Sequence, residues 1–431
     1  MKILIKNGRV IDPANGLDEI CDILTQDSLI SKVGRNIKEK ADHLLDATDK
    51  IVIPGVVDMH VHLREPGRED KETISSGTRA GLKGGVTCVL AMPNTSPCID
   101  SVETIKLLKE IIRRSGASHT LIAGAISKAR AGQELSDIAG LKVEGAVAIT
   151  DDGSSVESDA LMIEAFKAAK KAGLLVICHS EDKKLSNLGV VNLGLTSTRM
   201  GLRGISKESE YKRVQRDIEL AEKADVPVHI AHVSCQESLE VIARAKKKGV
   251  RVTCETAPHY FSLSETDVLG YDTFMKMNPP LRSSADVAGI KQALASGLID
   301  AIASDHAPHT ENDKDIEFER AEFGVIGLET ILAVSITELV ETGLLSWSEL
   351  VGKLAVNPAR ILGVPKGTLS AGSDADLVVV DPGQVWRVEK RDFISKSKNS
   401  PFLGRELKGR VEYTICSGKI AYSEQEGRGD K

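Results

Sequence analysis

The sequence predicts an α/β fold: a (β/α)₈ barrel of the TIM type, joined to a small β-sandwich domain that both chain termini form. Three observations favour this fold. Apolar runs alternate with helix-patterned segments through the middle of the chain, short strand patterns occupy both ends, and His or Asp residues recur directly after the apolar runs. We predict that residues 1–52 and 364–431 form the terminal domain and residues 53–363 form the barrel.

The terminal domain is predicted from short strand patterns punctuated by Gly, Asn and Asp. These patterns cover residues 3–11, 20–24 and 29–33 at the start of the chain, and residues 376–382, 411–416 and 420–422 near its end. A Ser417-Gly418 turn separates the last two patterns. Neither block holds enough apolar strand to stand alone, and chain termini often lie close together, so we expect one joint domain.

The barrel is predicted from eight apolar runs that alternate with helical patterns. The runs cover residues 51–57, 87–91, 120–125, 145–150, 174–178, 226–231, 250–254 and 299–303. The clearest helical patterns cover residues 101–114, 158–172, 206–224, 237–248 and 285–296. Several of them begin with Ser or Asp and end near Gly, as capped helices do. A doubly wound open sheet is the alternative, but no Gly-x-Gly-x-x-Gly follows the first strand.

Composition narrows the class of protein. The net charge of −6 over 431 residues gives no reason to expect nucleic acid or an anionic membrane as a partner. The seven cysteines are scattered singly, several of them in apolar runs, which favours reduced thiols over a disulfide framework. The start of the chain lacks the apolar core of a signal peptide, and no run approaches 18 apolar residues. We therefore expect a cytoplasmic protein.

One stretch carries the most chemistry, Val57-Asp58-Met59-His60-Val61-His62-Leu63-Arg64. On an extended segment residues i and i+2 share a face, so His60 and His62 project in the same direction. Two imidazoles aimed at one point are suited to a divalent metal such as zinc. On this spacing alone, two ordinary polar residues at a strand end remain the alternative.

In such barrels the chemistry lies where the strands end. The polar residues that follow the runs are His60 and His62, Asn94, the pair Asp151 and Asp152, His179, His232, and then Asp305, His306 and His309. Singly, each has an ordinary explanation as a structural histidine, a helix cap or a turn residue. Their coincidence at one rim predicts a metal centre. His43, His119, His229 and His259 receive no metal role, since His229, for example, points away from the face that His232 occupies.

Several motifs resemble a known family. The residues from Val57 to Gly67 resemble the signature of cyclic amidohydrolases. Ala91-Met92-Pro93-Asn94-Thr95, Met277-Asn278-Pro279-Pro280-Leu281-Arg282 and Ser304-Asp305-His306-Ala307-Pro308-His309 resemble dihydroorotases of the bacterial and archaeal type. The resemblance runs nearly end to end, with the motifs in the family's order. It implies one or two Zn²⁺ ions per subunit, held by His60, His62, Asp152, His179, His232 and Asp305, and substrate contacts from Arg64, Asn94, Asn278 and His309.

Two features depart from the wider superfamily. Most of its members bridge two metals with a carboxylated lysine on the fourth strand, yet residues 145–152 contain no lysine. Lys142 lies ten residues before Asp152, about 30 Å along an extended strand. The resemblance therefore implies Asp152 as the bridging ligand. Pro258-His259-Tyr260 is more similar to allantoinases and hydantoinases.

The resemblance also implies a reaction, the zinc-dependent and reversible hydrolysis of the cyclic amide of (S)-dihydroorotate to N-carbamoyl-L-aspartate in de novo pyrimidine biosynthesis. Asp305 would be the catalytic residue that moves a proton from water to the leaving nitrogen. Arg64 would bind the substrate carboxylate, since guanidinium matches carboxylate bidentately. Residues 309–315 are charged and poor in apolar side chains, which predicts a mobile loop over the site, with a plain solvated loop as the alternative.

Two other functions compete with this one. An allantoinase or hydantoinase-type enzyme would use the same metal site but would not need a carboxylate clamp; Asn94 and His309 favour dihydroorotase. An inactive dihydroorotase-like scaffold for aspartate carbamoyltransferase would be expected to lose metal ligands, and all of them are present. Association of an active enzyme with that transferase, a homodimer and the number of metals remain open from sequence.

Overall fold

The computed structural model of the chain describes residues 1–424. The strands are β1 (Lys2–Asp12), β2 (Leu17–Gln26), β3 (Leu29–Gly34), β4 (His43–Asp46), β5 (Ile51–Pro54), β6 (Val56–Val61), β7 (Val86–Ala91), β8 (His119–Gly124), β9 (Ala146–Ile149), β10 (Leu175–Cys178), β11 (Val191–Asn192), β12 (Gly204–Ile205), β13 (Val228–Ile230), β14 (Val252–Thr256), β15 (Ala301–Ile302), β16 (Leu377–Arg387), β17 (Glu406–Cys416) and β18 (Lys419–Ser423).

The α-helices are α1 (Ile74–Lys83), α2 (Val102–Ser115), α3 (Ile138–Glu144), α4 (Asp159–Ala172), α5 (Lys183–Ser186), α6 (Leu195–Met200), α7 (Glu208–Ala224), α8 (Gln236–Lys247), α9 (Pro258–Ser262), α10 (Ser284–Ala295), α11 (Glu311–Lys314), α12 (Ile331–Ser335), α13 (Trp347–Val351) and α14 (Asn357–Leu362). Helices α12 and α13 continue into the π-helical turns Ile336–Val340 and Gly352–Val356.

The barrel consists of β6, β7, β8, β9, β10, β13, β14 and β15, hydrogen-bonded in that order and parallel throughout. The two ends of this sheet meet where the strands finish, at what we call the carboxyl rim. There Val61 bridges His306, and the backbone N–H of His62 donates to the His306 carbonyl at 2.8 Å. The Asp58 carboxylate adds a link by accepting from the Ser304 N–H at 3.1 and 3.2 Å. The predicted (β/α)₈ barrel is confirmed.

The two termini form one further sheet, in the order β18-β17-β16-β5-β1-β2-β3 with β4 beside β1. This sheet encloses a core of its own, in which Ile3, Ile23, Val52, Leu377 and Ile415 are buried. The prediction that both termini build a single β-rich unit is confirmed. Neither terminal segment could bury these side chains without the strands of the other.

The apolar run over residues 51–57 is not one strand, and the prediction that it forms the first barrel strand was wrong. It divides at Gly55 into β5, which pairs with β1 and β16, and β6, which pairs with β7. A Cβ at residue 55 would lie 2.0 Å from the Oγ1 of Thr87, so only glycine fits where the chain crosses between the sheets. Periodicity could not reveal this break, because both halves are fully buried.

The five clearest helical patterns correspond to α2, α4, α7, α8 and α10, with ends within two residues of those predicted. Ser101 and Ser158 cap α2 and α4, accepting from the backbone N–H of Thr104 and Leu161. Strand β4 and the short elements β11, β12, α5 and α6 were missed. Elements of two to six residues carry no usable periodicity.

The polar segment between β16 and β17 packs on the carboxyl rim. Asn399 is buried there; its Nδ2 donates to the carbonyls of Ala307 and Gly324 at 3.3 and 3.1 Å. Its Oδ1 accepts from the backbone N–H of His309 at 3.3 Å. The C-terminal part of the chain therefore helps to hold the loop that carries His309.

At the opposite end of the barrel, an ion pair ties β8 to the terminal sheet. His119 Nε2 lies 3.0 Å from Asp376 Oδ2, and the hydrogen bond to Asp376 is the main cause that raises the pKa of His119 to about 9. A histidine in an unfolded chain has a pKa of about 6.5. The stabilisation is therefore fully present below about pH 6.5 and is lost as the pH rises through about 9.

His119→Gln is accordingly expected to lower the free energy of unfolding by about 1–3 kcal/mol near pH ~6, and by much less near pH ~10. Denaturant unfolding at both pH values measures this difference. Arg113→Gln serves as the control, because it removes an exposed pair with Glu110 and should change little at either pH. An equal loss at both pH values would mean that the charge on His119 does not stabilise the junction.

Candidate active site

His60 and His62 come from the end of the first barrel strand, where alternation turns both side chains to the inside of the carboxyl rim. Both are buried, and their ring centroids are 5.4 Å apart. His60 Nε2 lies 3.2 Å from Asp152 Oδ1 and 3.6 Å from Asp305 Oδ1. Strands one, four and eight therefore deliver their polar residues to one place.

Asp152 occupies the centre of this cluster. Its carboxylate lies 3.2 Å from His60 Nε2, 3.4 Å from His62 Nε2, 3.6 Å from His179 Nδ1 and 3.5 Å from His232 Nε2. The rings of His179 and His232 are in edge contact, with Nδ1 of the first 2.8 Å from Nε2 of the second. Asp305 completes the cluster through Oδ1, 3.3 Å from His62 Nε2. The structure thus brings together all six residues predicted as metal ligands.

Asp151 points away from the cluster. Its Oδ1 accepts from the backbone N–H of Ser127 at 3.0 Å, and its Oδ2 accepts from the Ser127 hydroxyl. Neighbouring residues at a strand end face opposite sides. Asp151 therefore fixes the loop after β8, whereas Asp152 faces the imidazoles.

We expect Asp152→Ala to lose most of the bound metal and Asp151→Ala to retain it. The reason is that only Asp152 lies within ligand distance of the four histidines. Elemental analysis of both purified variants, expressed in metal per chain, tests the difference. Metal loss confined to Asp151→Ala would reverse the assignment.

The electrostatics of the cluster favour a cation. Burial alone would raise the pKa of Asp152 and of Asp305, but the surrounding imidazoles lower both below the usual range for aspartate. Burial alone would lower the pKa of His60, but Asp152, Glu255 and Asp305 raise it well above its ordinary value. Both aspartates are therefore ionised, and their negative charge lies inside a ring of nitrogen donors.

The residues fit a metal by an independent criterion. His60 Nε2 and Asp152 Oδ1 are buried and 3.2 Å apart, yet neither atom makes a hydrogen bond of good geometry among residues 1–424. Buried polar atoms are rarely left so. Two overlapping sets have ligand atoms within 4.8 Å of one another: His60 with His62 and Asp305, and His60 with Asp152 and His232. Imidazole and carboxylate donors suit zinc and related divalent ions. The cluster can hold one or two such ions.

Glu255 supports the cluster and was missed from sequence. Its Oε1 lies 2.8 Å from His60 Nδ1, which directs His60 Nε2 toward Asp152. Its Oε2 lies 3.3 Å from Nε2 of His229, so Glu255 contacts both histidines. The available signal was an acidic residue within the buried strand β14.

Asp58 was also missed. Its Oδ1 accepts from the backbone N–H of His60 at 3.2 Å as well as from Ser304, next to Asp305. Burial raises its pKa to about 7.

His232 and Asp305 have positive φ angles of 36° and 47°, a costly backbone conformation that the surrounding contacts sustain at this site.

Two of the predicted substrate contacts lie beside metal-type ligands. Asn94 Oδ1 is 2.9 Å from His62 Nδ1. Asn278 Nδ2 donates to Glu181 Oε2 at 3.2 Å, and that oxygen lies 3.5 Å from His179 Nε2. Both asparagines therefore reach the edge of the cluster, and Glu181 is a further residue that the sequence did not single out.

The other two contacts, Arg64 and His309, adjoin each other. Arg64 Nε donates to the Pro308 carbonyl at 3.2 Å, and Nη2 lies 3.3 Å from His309 Nε2. Burial lowers the pKa of Arg64 to about 10. Within residues 1–424, no carboxylate pairs with this partly buried guanidinium within 4.0 Å, although the buried arginines Arg213 and Arg282 have such partners. A partly desolvated, unpaired guanidinium is suited to an anionic ligand.

The segment over residues 309–315, predicted as a mobile loop, is short, capped and anchored. Thr310 caps α11, and the Lys314 side chain is buried beneath it. Lys314 Nζ donates to the carbonyls of Thr273, Lys276 and Glu322 at 3.0, 3.2 and 2.7 Å. The many charged residues of this segment suggested a loop exposed to solvent, but the Lys314 side chain points into the protein.

The two departures from the superfamily pattern lie outside the cluster. Lys142 is on α3, where its Nζ donates to the Gly173 carbonyl at 3.4 Å. Tyr260 donates from its hydroxyl to the Pro279 carbonyl at 2.7 Å. Burial lowers the pKa of His259 to about 4, so that this imidazole is neutral. His259 and Tyr260 are buried just after β14, at the carboxyl rim, whereas Lys142 lies near the start of β10, at the other end of the barrel.

Comparison with known proteins agrees with the geometry. A family model described as dihydro-orotase-like matches residues 49–238. A dihydroorotase from Elusimicrobium minutum is 51% identical over 97% of this chain and 97% of its own length. One from Geobacter metallireducens is 48% identical over 98% of this chain and all of its own length.

Solved structures show the same fold in related enzymes. The L-hydantoinase of Arthrobacter aurescens superposes with a TM-score of 0.88 at 27% identity, covering 97% of this chain and 95% of that one. The dihydropyrimidinase of Brevibacillus agri gives a TM-score of 0.86 at 24% identity, with 98% and 96% covered. The barrel fold and the cluster of His and Asp residues at its carboxyl rim agree with these relatives. Because the near full-length relatives are dihydroorotases, the chain belongs to the dihydroorotase family.

Proposed function

We propose that the chain catalyses the reversible hydrolysis of (S)-dihydroorotate to N-carbamoyl-L-aspartate at a zinc site. The observation that carries the substrate assignment is Arg64, a partly buried guanidinium without a carboxylate partner within 4.0 Å among residues 1–424, next to the metal-type cluster. Dihydroorotate bears a ring carboxylate that would supply the missing anion. Hydantoin and allantoin rings have no such group.

When bound by His60, His62, Asp152, His179, His232 and Asp305, zinc would act as a Lewis acid and lower the pKa of water to about 7. Asp305 is ionised and lies beside His62, so it can accept the proton of the attacking water. It then returns that proton to the ring nitrogen as the amide bond breaks. A carboxylate can carry out both transfers, which suits a reversible reaction.

The other residues orient the ring and the ligands. Arg64 would bind the substrate carboxylate bidentately, with Asn94, Asn278 and His309 completing the pocket around the ring. Glu255 holds His60 by its Nδ1 atom, and Asn94 holds His62 in the same way. The reactive nitrogens of both imidazoles therefore point into the cluster before substrate arrives.

A panel of three substrates tests this function. Dihydroorotate should be hydrolysed with a kcat/KM at least about a hundredfold above that for dihydrouracil or hydantoin, since only the first engages the Arg64 clamp. Dihydrouracil and hydantoin, which lack a carboxylate, are included because the fold of this chain resembles that of a hydantoinase. A preference for hydantoin would assign the chain to that chemistry instead.

Other aspects of the proposal concern the cell. Within residues 1–424, no helix combines the length and apolar character needed to cross a membrane. We propose a cytoplasmic location and a role in pyrimidine biosynthesis.

A homodimer and an association with aspartate carbamoyltransferase are further proposals, for which the exposed Leu188, Leu193 and Leu195 offer apolar surface. Sedimentation of the protein, alone and with the transferase, tests both.

A further inference from the structure

Lys71 has a buried ammonium group that the mechanism above leaves without a role. It lies just before α1, and its side chain is only 4% exposed. Its Nζ is 2.9 Å from His309 Nδ1 and 3.3 Å from Asp313 Oδ2. Burying an ammonium is costly unless its partners repay the lost hydration. Its position beside His309 therefore calls for an explanation.

The contact fixes the tautomer of His309. A lysine ammonium can only donate, so Nδ1 must accept and the ring proton must be on Nε2. The surroundings of Nε2 agree, since it donates to the Phe323 carbonyl at 2.8 Å. His309 is thus a neutral imidazole with both nitrogens engaged. Arg64 Nη2, 3.3 Å from Nε2, contacts a donor rather than an acceptor and keeps its own protons for another ligand.

The charged groups in contact with this ring are mostly positive. Arg64 and Lys71 lie on opposite edges of the imidazole, and Lys314 of α11, whose pKa burial lowers to about 7, lies nearby. Asp313, on the same helix, lies 3.9 Å from His309 Nδ1 and pairs with Lys71. Burial, then Arg64, Lys71 and Lys314 in that order, lower the pKa of His309. Asp313 and Glu322 offset part of the positive charge of Arg64 and Lys71. Both cations nevertheless lie closer to the imidazole than Asp313 does.

We propose that Lys71 is a positioning residue for the substrate carboxylate: it holds His309 in the neutral Nε2–H form and, with Arg64, makes this end of the pocket cationic. This inference rests on the proposed function, because it presumes a substrate with a carboxylate. Lys71 acts through His309, whereas Arg64 touches the substrate itself. Its loss should therefore alter substrate affinity and the titration of His309 more than the chemical step.

The test compares Lys71→Met, Lys71→Arg and the control Lys170→Met on dihydroorotate and dihydrouracil. Lys71→Met should raise the KM for dihydroorotate about tenfold to a hundredfold with a smaller change in kcat, and Lys71→Arg should recover part of the loss. Lys170→Met makes the same change at an exposed lysine that pairs with Asp225, so its KM should stay within about threefold of the parent value. Dihydrouracil should be affected much less by all three variants.

The pH dependence distinguishes positioning from simple structural support. Without Lys71, His309 can accept a proton on Nδ1, and the imidazolium would restore positive charge at the same place. The ratio of KM between Lys71→Met and the parent should therefore shrink as the pH falls from about 8 to about 6. A ratio that does not change with pH, together with equal losses on both substrates, would overturn the proposal.

Nitrogen NMR of ¹⁵N-histidine-labelled protein supplies a readout independent of turnover. His309, assigned with His309→Asn, should show the Nε2–H tautomer without titrating in the parent, and should titrate in Lys71→Met. A titrating His309 in the parent would overturn the proposal even if the kinetics agreed. Failure of the parent to hydrolyse dihydroorotate would instead overturn the proposed function, while the NMR result would still decide whether Lys71 holds His309.

Discussion

Asp305→Asn is expected to reduce kcat for dihydroorotate by about 10²- to 10⁴-fold, the usual range for removing a general acid–base group. The amide keeps the shape of the side chain but cannot accept the proton of water. Because Asp152 and the four histidines around it keep their positions, much of the metal should stay bound. Elemental analysis alongside steady-state kinetics separates the loss of proton transfer from the loss of metal.

Glu311→Gln is the matched control, a carboxylate-to-amide change at a residue that is exposed and pairs only with Lys390 among the described residues. It should leave kcat within about twofold of the parent. If Asp305→Asn kept full metal and turned over within about tenfold of the parent, another group would have to move the proton.

Arg64→Met is expected to cost about 2–4 kcal/mol of transition-state binding with dihydroorotate, since a charge-assisted pair is lost and the substrate carboxylate is left unpaired. Hydrolysis of dihydrouracil, which lacks the carboxylate, should change far less. The measurement is kcat/KM for both substrates with both proteins. Arg68→Met is the control, because Arg68 is close in sequence but exposed and paired with Asp70.

Equal losses on both substrates would give Arg64 a structural role. That outcome is physically reasonable, because Arg64 Nε holds the Pro308 carbonyl and its own φ angle is +62°. The difference between the two substrates, rather than the absolute loss, therefore carries the specificity argument.

The metal cluster was predictable because its residues lie at the ends of strands. His60, His179, His232 and Asp305 follow apolar runs directly, so a correct count of strands places them at one rim. The choice between Asp151 and Asp152 needed the family resemblance, and the structure supplies its reason in the bonds of Asp151 to Ser127. Strand periodicity by itself does not say which of two adjacent carboxylates continues the inward face.

The supporting residues were not predictable, because their roles exist only in tertiary contacts. Glu255 comes from β14, a strand that ends without a predicted ligand. Lys71 and Asn399 reach His309 across 238 and 90 residues of sequence. The anchoring of α11 depends on which way Lys314 points, and composition cannot reveal that. The break at Gly55 depends on its contact with Thr87.

The central claim is that this cluster hydrolyses dihydroorotate only when it holds a metal. The most direct measurement is the release of N-carbamoyl-L-aspartate from dihydroorotate by protein stripped with a chelator, before and after titration with Zn²⁺. We predict no turnover from the stripped protein and recovery that saturates at about one or two zinc ions per chain. Full turnover by protein shown to be metal-free would contradict the account.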